Sequence, residues 1–459
     1  MGLAMAKTEA LSPNESLAVL SGQDDGEDID IQTPIKVENI HIEGVNKTQP
    51  GLVTSQLEGL FDAKTFDELM EGTHGAKLRL QRLGIFSNIE IFIDVSKTEN
   101  ASPEGLDVHF VVEESKRLTG NVGTNVGNNE GSVVLGGKWN NLRGSGESVR
   151  VDISMGTKCS SAHEFTFSKP LFQSPDCKLL FKGYQATTDF TQCFFRQKSQ
   201  GLGTEFSVPS PLGIHTIKYD GQCRENFDVP SSAPFEIREQ AGHVAKSSIQ
   251  HSLVSDGRDN SILPTKGHLF KHLLEFTGLG GDVKFVKSEL EIQLNKEIIE
   301  DIVLGISFQA GAVKSFGGSD TLINDRFFLG GPMSVRGFTM RGIGPRMKEA
   351  SLGADAFWAA GLHLYTPLPF RPGRGGFGDL FRMHVFANAG NAQNIELTRY
   401  NSNAVNKLLT EARWSYGIGI MMMLGGVARL EVNYCVPKNA KATDGVNPGL
   451  QVGVGMNFL

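Results

Sequence analysis

Arg336 is the only charged residue in a run of apolar and small residues that reads Phe-Leu-Gly-Gly-Pro-Met-Ser-Val-Arg-Gly-Phe from Phe328 to Phe338. A guanidinium carries five donors and does not shed its charge, so its chemistry here is to pair with acceptors. An isolated Arg-Gly-Phe is ordinarily a solvated turn. This one lies in a gap between strand-like runs, at about residues 314–353, and a connection that long inside a compact protein is usually functional or disordered. The tip Val335, Arg336, Gly337 and Phe338 is therefore expected to fold inward onto polar partners.

No set of residues assembles into a catalytic centre. Eleven histidines occur without a His-Glu-x-x-His spacing, and Ser/His/Asp sets cannot be assigned from spacing. A lone His363 reads as a polar residue on an inner face. Cys159, Cys177, Cys193, Cys223 and Cys435 form no Cys-x-x-Cys pair and no zinc-type spacing, so isolated thiols are expected. The string Gly373-Arg374-Gly375-Gly376-Phe377-Gly378 lacks the strand-turn-helix and the Lys-Ser/Thr of a phosphate cradle and reads as a turn. Gly278-Leu279-Gly280-Gly281-Asp282 joins two strands and has no helix N-terminus to offer a phosphate. The expectation is a protein without catalytic residues, metal or cofactor.

Fifty-four glycines and eighteen prolines against three tryptophans suit a turn-rich β protein. A net charge of −7 gives no reason to expect nucleic-acid binding. The uncharged run Trp414 to Ala428 is shorter than the roughly 20 residues a membrane-spanning helix needs, and glycines interrupt it.

Three segments follow along the chain. Residues 1–33 hold seven acids against one lysine and read as an acidic disordered tail, with neither a secretory signal nor an Arg-rich presequence. Residues 34–116 read as a small β-α-α-β-β module. Its strands start with Ile35, Val37, Ile40 and Ile42, then Ile89 to Val95, then Leu106 to Val112. Its helices are Leu52 to Phe61 and Thr65 to Leu83, the latter with Thr65 as cap, Gly84 as stop and a stripe of Phe66, Leu69, Met70, Leu78, Leu80 and Leu83.

Residues 117–459 contain sixteen strand-like segments, and the last three alternate cleanly. In Arg413 to Leu424, Ala428 to Val436 and Leu450 to Phe458, apolar side chains alternate with polar or glycine positions. That pattern suits a membrane β-barrel, in which closure alone satisfies every backbone group in lipid. The fold class is mostly β: a sixteen-stranded transmembrane antiparallel barrel behind one small α/β domain.

The Val335-Arg336-Gly337-Phe338 string resembles the corresponding loop of the BamA superfamily, outer-membrane barrels that insert other barrels. Asn141-Leu142-Arg143-Gly144-Ser145-Gly146-Glu147 and Asp256-Gly257-Arg258-Asp259-Asn260, with Pro264 and Gly267, resemble two of its turns. Leu364 to Gly373 and Arg413-Trp414-Ser415-Tyr416-Gly417 look similar to its mitochondrial branch, the core barrels of the sorting and assembly machinery. The small module resembles a POTRA domain.

The resemblance implies a subunit of the mitochondrial outer membrane that folds and inserts β-barrel precursors, with the POTRA domain in the intermembrane space. Metaxin-type subunits and the cristae-organising complex of the inner membrane are the implied partners, and the lipid bilayer is the medium. It implies that the loop arginine pairs with an acid in a Phe-x-Asp-x-Gly strand. Here that strand reads Phe386-Ala387-Asn388-Ala389-Gly390, so Asn388 supplies no countercharge and Glu431 is expected to compensate.

The working element is expected at the seam between the first strand, about Leu118 to Val126, and the last, about Leu450 to Phe458. Gly120, Gly123, Gly453 and Gly455 weaken packing there, and Gln451 to Phe458 resembles the terminal signal of mitochondrial barrel precursors. An opened seam would template an incoming strand. The rival readings are a passive porin, a translocating relative of another envelope and a soluble β-rich protein.

Overall fold

The computed structural model describes residues 33–97, 102–127, 130–157, 160–318, 320–368, 377–395, 402–425, 428–455 and 458–459. The acidic tail 1–32, Cys159, most of the Gly373 to Gly378 string, Met456 and Asn457 lie outside these. The described residues fall into two compact units, residues 33–44, 57–78 and 88–112 in the smaller and 45–56, 79–87 and 113–459 in the larger.

In chain order the N-terminal elements are β1 (Lys36–Glu43), α1 (Pro50–Thr54), a 3-10 turn (Glu58–Asp62), α2 (Phe66–Leu83), β2 (Phe86–Val95) and β3 (Gly105–Glu114). They make a three-stranded sheet with β3 in the middle, parallel to β1. Two expectations change here. The helix expected over Leu52 to Phe61 is broken into α1 and the 3-10 turn, and the Gln56 carbonyl accepts from Arg79 Nη2 at 2.8 Å. The buried stripe of α2 is Leu69, Thr73, Ala76 and Leu80, at helical spacing. Met70 and Leu78 fall off that stripe and are exposed, because the expected stripe mixed two faces of the helix.

Most of the remaining regular structure is one sixteen-stranded sheet, with short helices at Phe235–Arg238 and Ser402–Thr410 in its connections. Its first half is β4 (Leu118–Gly127), β5 (Glu130–Asn140), β6 (Ser148–Gly156), β7 (Ser161–Pro170), β8 (Lys178–Phe190), β9 (Phe195–Ser210), β10 (Gly213–Phe227) and β11 (Gly242–Asp256). Next come β12 (Gly267–Gly281), β13 (Phe285–Ile299) and β14 (Ile302–Ser315). A long connection carries a 3-10 turn (Ile323–Asp325) and the two-residue strands β15 (Arg346–Met347) and β16 (Ala350–Ser351). The sheet resumes with β17 (Ala356–Pro367), β18 (Phe381–Gln393), β19 (Arg413–Leu424), β20 (Ala428–Lys438) and β21 (Gly449–Gly455). Every ladder is antiparallel and joins neighbours in sequence, β14 pairing with β17 across the long connection.

The burial pattern is inverted relative to a water-soluble sheet. Val151, Ile217, Ile249, Ile306, Leu362, Trp414, Tyr416, Ile418, Ile420 and Val432 point outward and are exposed, while His363, His384, Asn388, Ser415, Glu431 and Asn433 point inward and are buried. An apolar exterior around a polar interior is the lipid-facing arrangement of a membrane barrel. No described helix is long and apolar enough to cross a membrane.

The end strands β4 and β21 bring Cα atoms within 8 Å of each other, yet no backbone ladder joins them among the described residues. The described part of the last strand is Gly449–Gly455; Phe458 and Leu459, outside regular structure, are buried, 6% and 2% exposed.

Candidate functional site

The connection between β14 and β17 is held inside the barrel at two places. Near its start, the Asp325 carboxylate receives Arg224 Nη1 and Nη2 in a bidentate pair, both at 2.8 Å, and Lys246 Nζ at 3.2 Å. Lys246 also pairs with Glu275 at 2.8 Å. Arg224, Lys246 and Glu275 sit on the inner faces of β10, β11 and β12, and all four groups are buried. Beside them, Asn324 exchanges hydrogen bonds with Asn226 and donates to Gln197.

The tip is held on the opposite part of the sequence, β17 to β21. Gly330, Gly331 and Gly337 take positive φ values of 102°, 125° and 80°, so the tip turns where a Cβ would be strained. Val335, Phe338, Leu329 and Ile343 pack with Ala359, Ala392 and Leu459 into a buried apolar cluster. That cluster fixes the tip and leaves the fully buried Arg336 pointing at the inner wall.

There Arg336 Nη2 and Nε donate to Glu431 Oε2 at 2.8 and 3.1 Å, and Nη1 donates to Asn388 Oδ1 at 3.0 Å. A longer contact of 3.5 Å reaches the Leu459 carbonyl. Arg429 Nη2 lies 2.7 Å from the other Glu431 oxygen, as a close ion contact off hydrogen-bond geometry. The rings of Phe386 and Phe458 flank Arg336 at 5.1 and 5.7 Å from their centroids, and Phe458 also covers Arg429 at 4.2 Å. A charge this dry is tolerable only when paired and hydrogen-bonded, and removing one partner of such a pair typically costs about 3–5 kcal/mol. The chain of polar groups continues outward: Asn433 Nδ2 donates to Glu431 Oε2 at 2.9 Å, and Asn433 Oδ1 meets His384 Nε2 at 2.7 Å. His363 lies beside His384 with ring nitrogens 3.4 Å apart.

The same loop runs along the inner face of β21. Gln451 Oε1 accepts from the Gly337 N–H and Gln451 Nε2 donates to the Phe338 carbonyl, both at 2.9 Å. The Leu459 N–H donates to the Met333 carbonyl at 3.0 Å, and Phe338 bridges to Val446 in the β20–β21 connection. A Cβ added at Gly453 would come within 2.9 Å of Pro332 Cβ, and one at Gly455 within 2.6 Å of Met333 Sδ. Both glycines are the spaces into which the loop fits.

The expected site residues thus fall into two groups. Arg336, Asn388, Glu431, Gln451, Gly453, Gly455 and Phe458 meet around the loop tip. Gly120 and Gly123 do not touch it: the nearest atom to a Cβ at Gly120 is the Gly136 carbonyl at 3.9 Å, and Gly123 has nothing within 4 Å. Arg429 and the Asp325 network carry weight that the spacing of the sequence did not reveal. Arg429 was legible in one respect, since it shares the inner face of β20 with Glu431, two residues on.

The turn after β11 closes beneath this site. Arg258 clasps Asp256 with two bonds of 2.8 Å and donates to Gln293 at 2.9 Å, while Asn260 Oδ1 caps the N–H groups of Ile262 and Leu263. Gly267 is required here, because its φ is 104° and a Cβ would meet the Gly257 carbonyl at 2.1 Å. Burial works to raise the Asp259 carboxyl, and hydrogen bonds from Thr265 and from the backbone of Thr265 and Lys266 outweigh it, holding it below the usual aspartate range.

The Omp85 superfamily domain matches residues 141–458. The sorting and assembly machinery component 50 homolog B of Xenopus laevis is 44% identical over 426 residues, covering 93% of this chain and 91% of that protein. The human homolog is 43% identical with the same coverage, and a SAM50-like protein of Drosophila melanogaster is 31% identical over 454 residues, covering 96% and 99%. Among solved structures, BamA from Haemophilus ducreyi lacking POTRA domains 1–3 aligns with a TM-score of 0.73 at 18% identity, over 92% of this chain and 84% of that one.

Proposed function

This chain belongs to the sorting and assembly machinery component 50 family of the Omp85 superfamily, and from that premise we propose how its barrel works. It is a core subunit of the mitochondrial outer-membrane machinery that inserts β-barrel proteins, and it acts on barrel precursors within a complex. Incoming strands are templated at the junction of β4 and β21. The observation that carries this reading is that no ladder joins β4 and β21 among the described residues although the two strands lie side by side. An edge of unpaired N–H and C=O groups binds an extended segment by backbone pairing, and lipid burial supplies the remaining driving force. No covalent step is needed.

Within this reading β4 is the receiving edge, with Gly120 and Gly123 offering no side chain to obstruct it. The loop tip holds β21 from inside through Gln451, Gly453, Gly455 and Phe458, so that the pair can part without the barrel losing its last strand. The Arg336–Glu431 pair, with Asn388, is the clamp on that tip. We further assign residues 34–116 to a POTRA domain in the intermembrane space, on the strength of its β-α-α-β-β order. Metaxin-type subunits and the inner-membrane cristae-organising complex are the proposed partners.

A passive porin fits less well, because the lumen holds the inward connection and its two ion networks. The test is site-specific crosslinking in mitochondria from cysteines at Gly120→Cys and Gly455→Cys to an arrested barrel precursor. Adducts from both edges are expected. Precursor that integrates normally with neither edge ever crosslinked overturns the seam mechanism.

A further inference from the structure

A second polar feature of the lumen lies far from the loop tip in sequence and faces inward from β5 to β8. Lys138, Arg150, Lys178 and Glu164 line a cavity of about 390 Å³ near the end of the barrel where β5 turns into β6 and β7 into β8. Strand alternation sets the direction: Val133, Leu135, Trp139, Val151 and Ile153 are the exposed outward residues, so Lys138 and Arg150 face the lumen. The register sets Lys138 directly opposite Arg150. Like charges in that relation destabilise a sheet.

Local anions do not relieve it. Glu164 is engaged by Lys182 at 2.9 Å, and Arg150 has only a long contact of 3.9 Å with Asp152. Lys138 and Lys178 have no ion pair among the described residues. The register also sets Lys138 beside Thr119 of β4, one strand in from the free edge. A strand added to β4 would lie about 10 Å from β5, two strand spacings, within reach of a lysine leaning toward it. Its inward-facing side chains would stand nearest the Lys138 side of this cavity, with Lys178 on β8 adding to its field from about five strand spacings away.

We propose that the Lys138/Arg150/Lys178 cavity receives carboxylate side chains on the lumen-facing side of an incoming precursor strand. Acidic precursor strands are thereby favoured at the β4 edge, and the like-charge pair is relieved only while one is bound. Lys138, Arg150, Lys178 and Arg82 outnumber Glu164 in this lining, and a cleft with an excess of one sign of charge concentrates the opposite sign. The proposal rests on strand addition at β4 and names a substrate feature that this edge selects.

The experiment uses the full chain in nanodiscs and two dye-labelled peptides of alternating pattern, identical except for glutamate or glutamine at the lumen-facing positions. Each carries a cysteine to crosslink with Gly120→Cys, which reports edge docking independently of charge. The glutamate peptide is expected to bind about tenfold more tightly at low salt, and the double variant Lys138→Gln/Lys178→Gln is expected to erase that preference. Because the variant removes a repulsion, its barrel is expected to melt no lower than the parent, so loss of preference is not loss of fold. Equal binding of both peptides, or a preference that survives in the double variant, overturns the proposal while edge crosslinking leaves the seam reading intact. Full displacement of the glutamate peptide by millimolar inorganic phosphate also overturns it, as a small-anion site. No crosslink from either peptide overturns both readings.

Discussion

The two end strands of the sheet meet as neighbours but are built differently. Strand β21 is backed along its inner face by the long connection, which grips Gln451, fills the spaces left by Gly453 and Gly455, and binds the Leu459 amide. Strand β4 has no such backing at Gly120 or Gly123. Both strands are glycine-bearing, yet in one the missing side chain is a socket and in the other it is open space. The junction therefore has one backed side and one open side, and composition alone does not distinguish them.

The largest expected effect breaks the stiff side at its clamp. Arg336→Ala leaves Glu431 buried with only Arg429 and the Asn433 amide, at a cost of about 3–5 kcal/mol, and Arg336→Lys rescues only in part because lysine lacks the guanidinium's fork. The readout is heat-modifiable mobility of the folded barrel together with precursor insertion; unchanged thermal stability in Arg336→Ala would remove the clamp from the account. Gln451→Leu comes next, since it strands the Gly337 N–H and the Phe338 carbonyl, a loss of about 1–3 kcal/mol measured by the same melting shift.

Glycine substitutions sharpen the comparison directly. Gly453→Ala forces a methyl against the Pro332 ring, which cannot swing aside, and is expected to cost about 1–3 kcal/mol. Gly455→Ala meets the flexible end of Met333 and should cost less, and Gly123→Ala should stay within about 0.5 kcal/mol. An equal penalty at all three would mean that the loop does not distinguish the strands.

The smallest effect is an acid one. The Asp259 carboxyl, held low in the folded turn, adds stability above its unfolded value near pH 4, and that contribution is lost as pH falls through the folded value. Asp259→Asn should lower the melting temperature slightly at neutral pH, where the carboxylate's contribution is fully present, and match the parent once both are below the folded value, which acid titration of the melting temperature measures.

Much of this architecture was legible in the chain. Alternation in β19, β20 and β21 announced which residues face lipid, because a strand's side chains have a period of two and only one face meets hydrocarbon. The lone charge at Arg336 announced an inward tip, because a dry guanidinium needs acceptors. Less legible were Asp325, Arg224, Lys246 and Glu275. They are about 20 to 100 residues apart in sequence, and no local period links charges that meet only when β10, β11 and β12 curve around a returning loop.

The sequence by itself determined the barrel, the period of its strands and the identity of the buried arginine, since these follow from patterns within single strands and turns. Tertiary structure alone decided which glycines are sockets, that Phe458 leaves the last strand to stack on Arg336 and Arg429, and that Lys138 faces Arg150. Those outcomes depend on register and on where a distant loop comes to rest, and neither is encoded in the residues nearest to them.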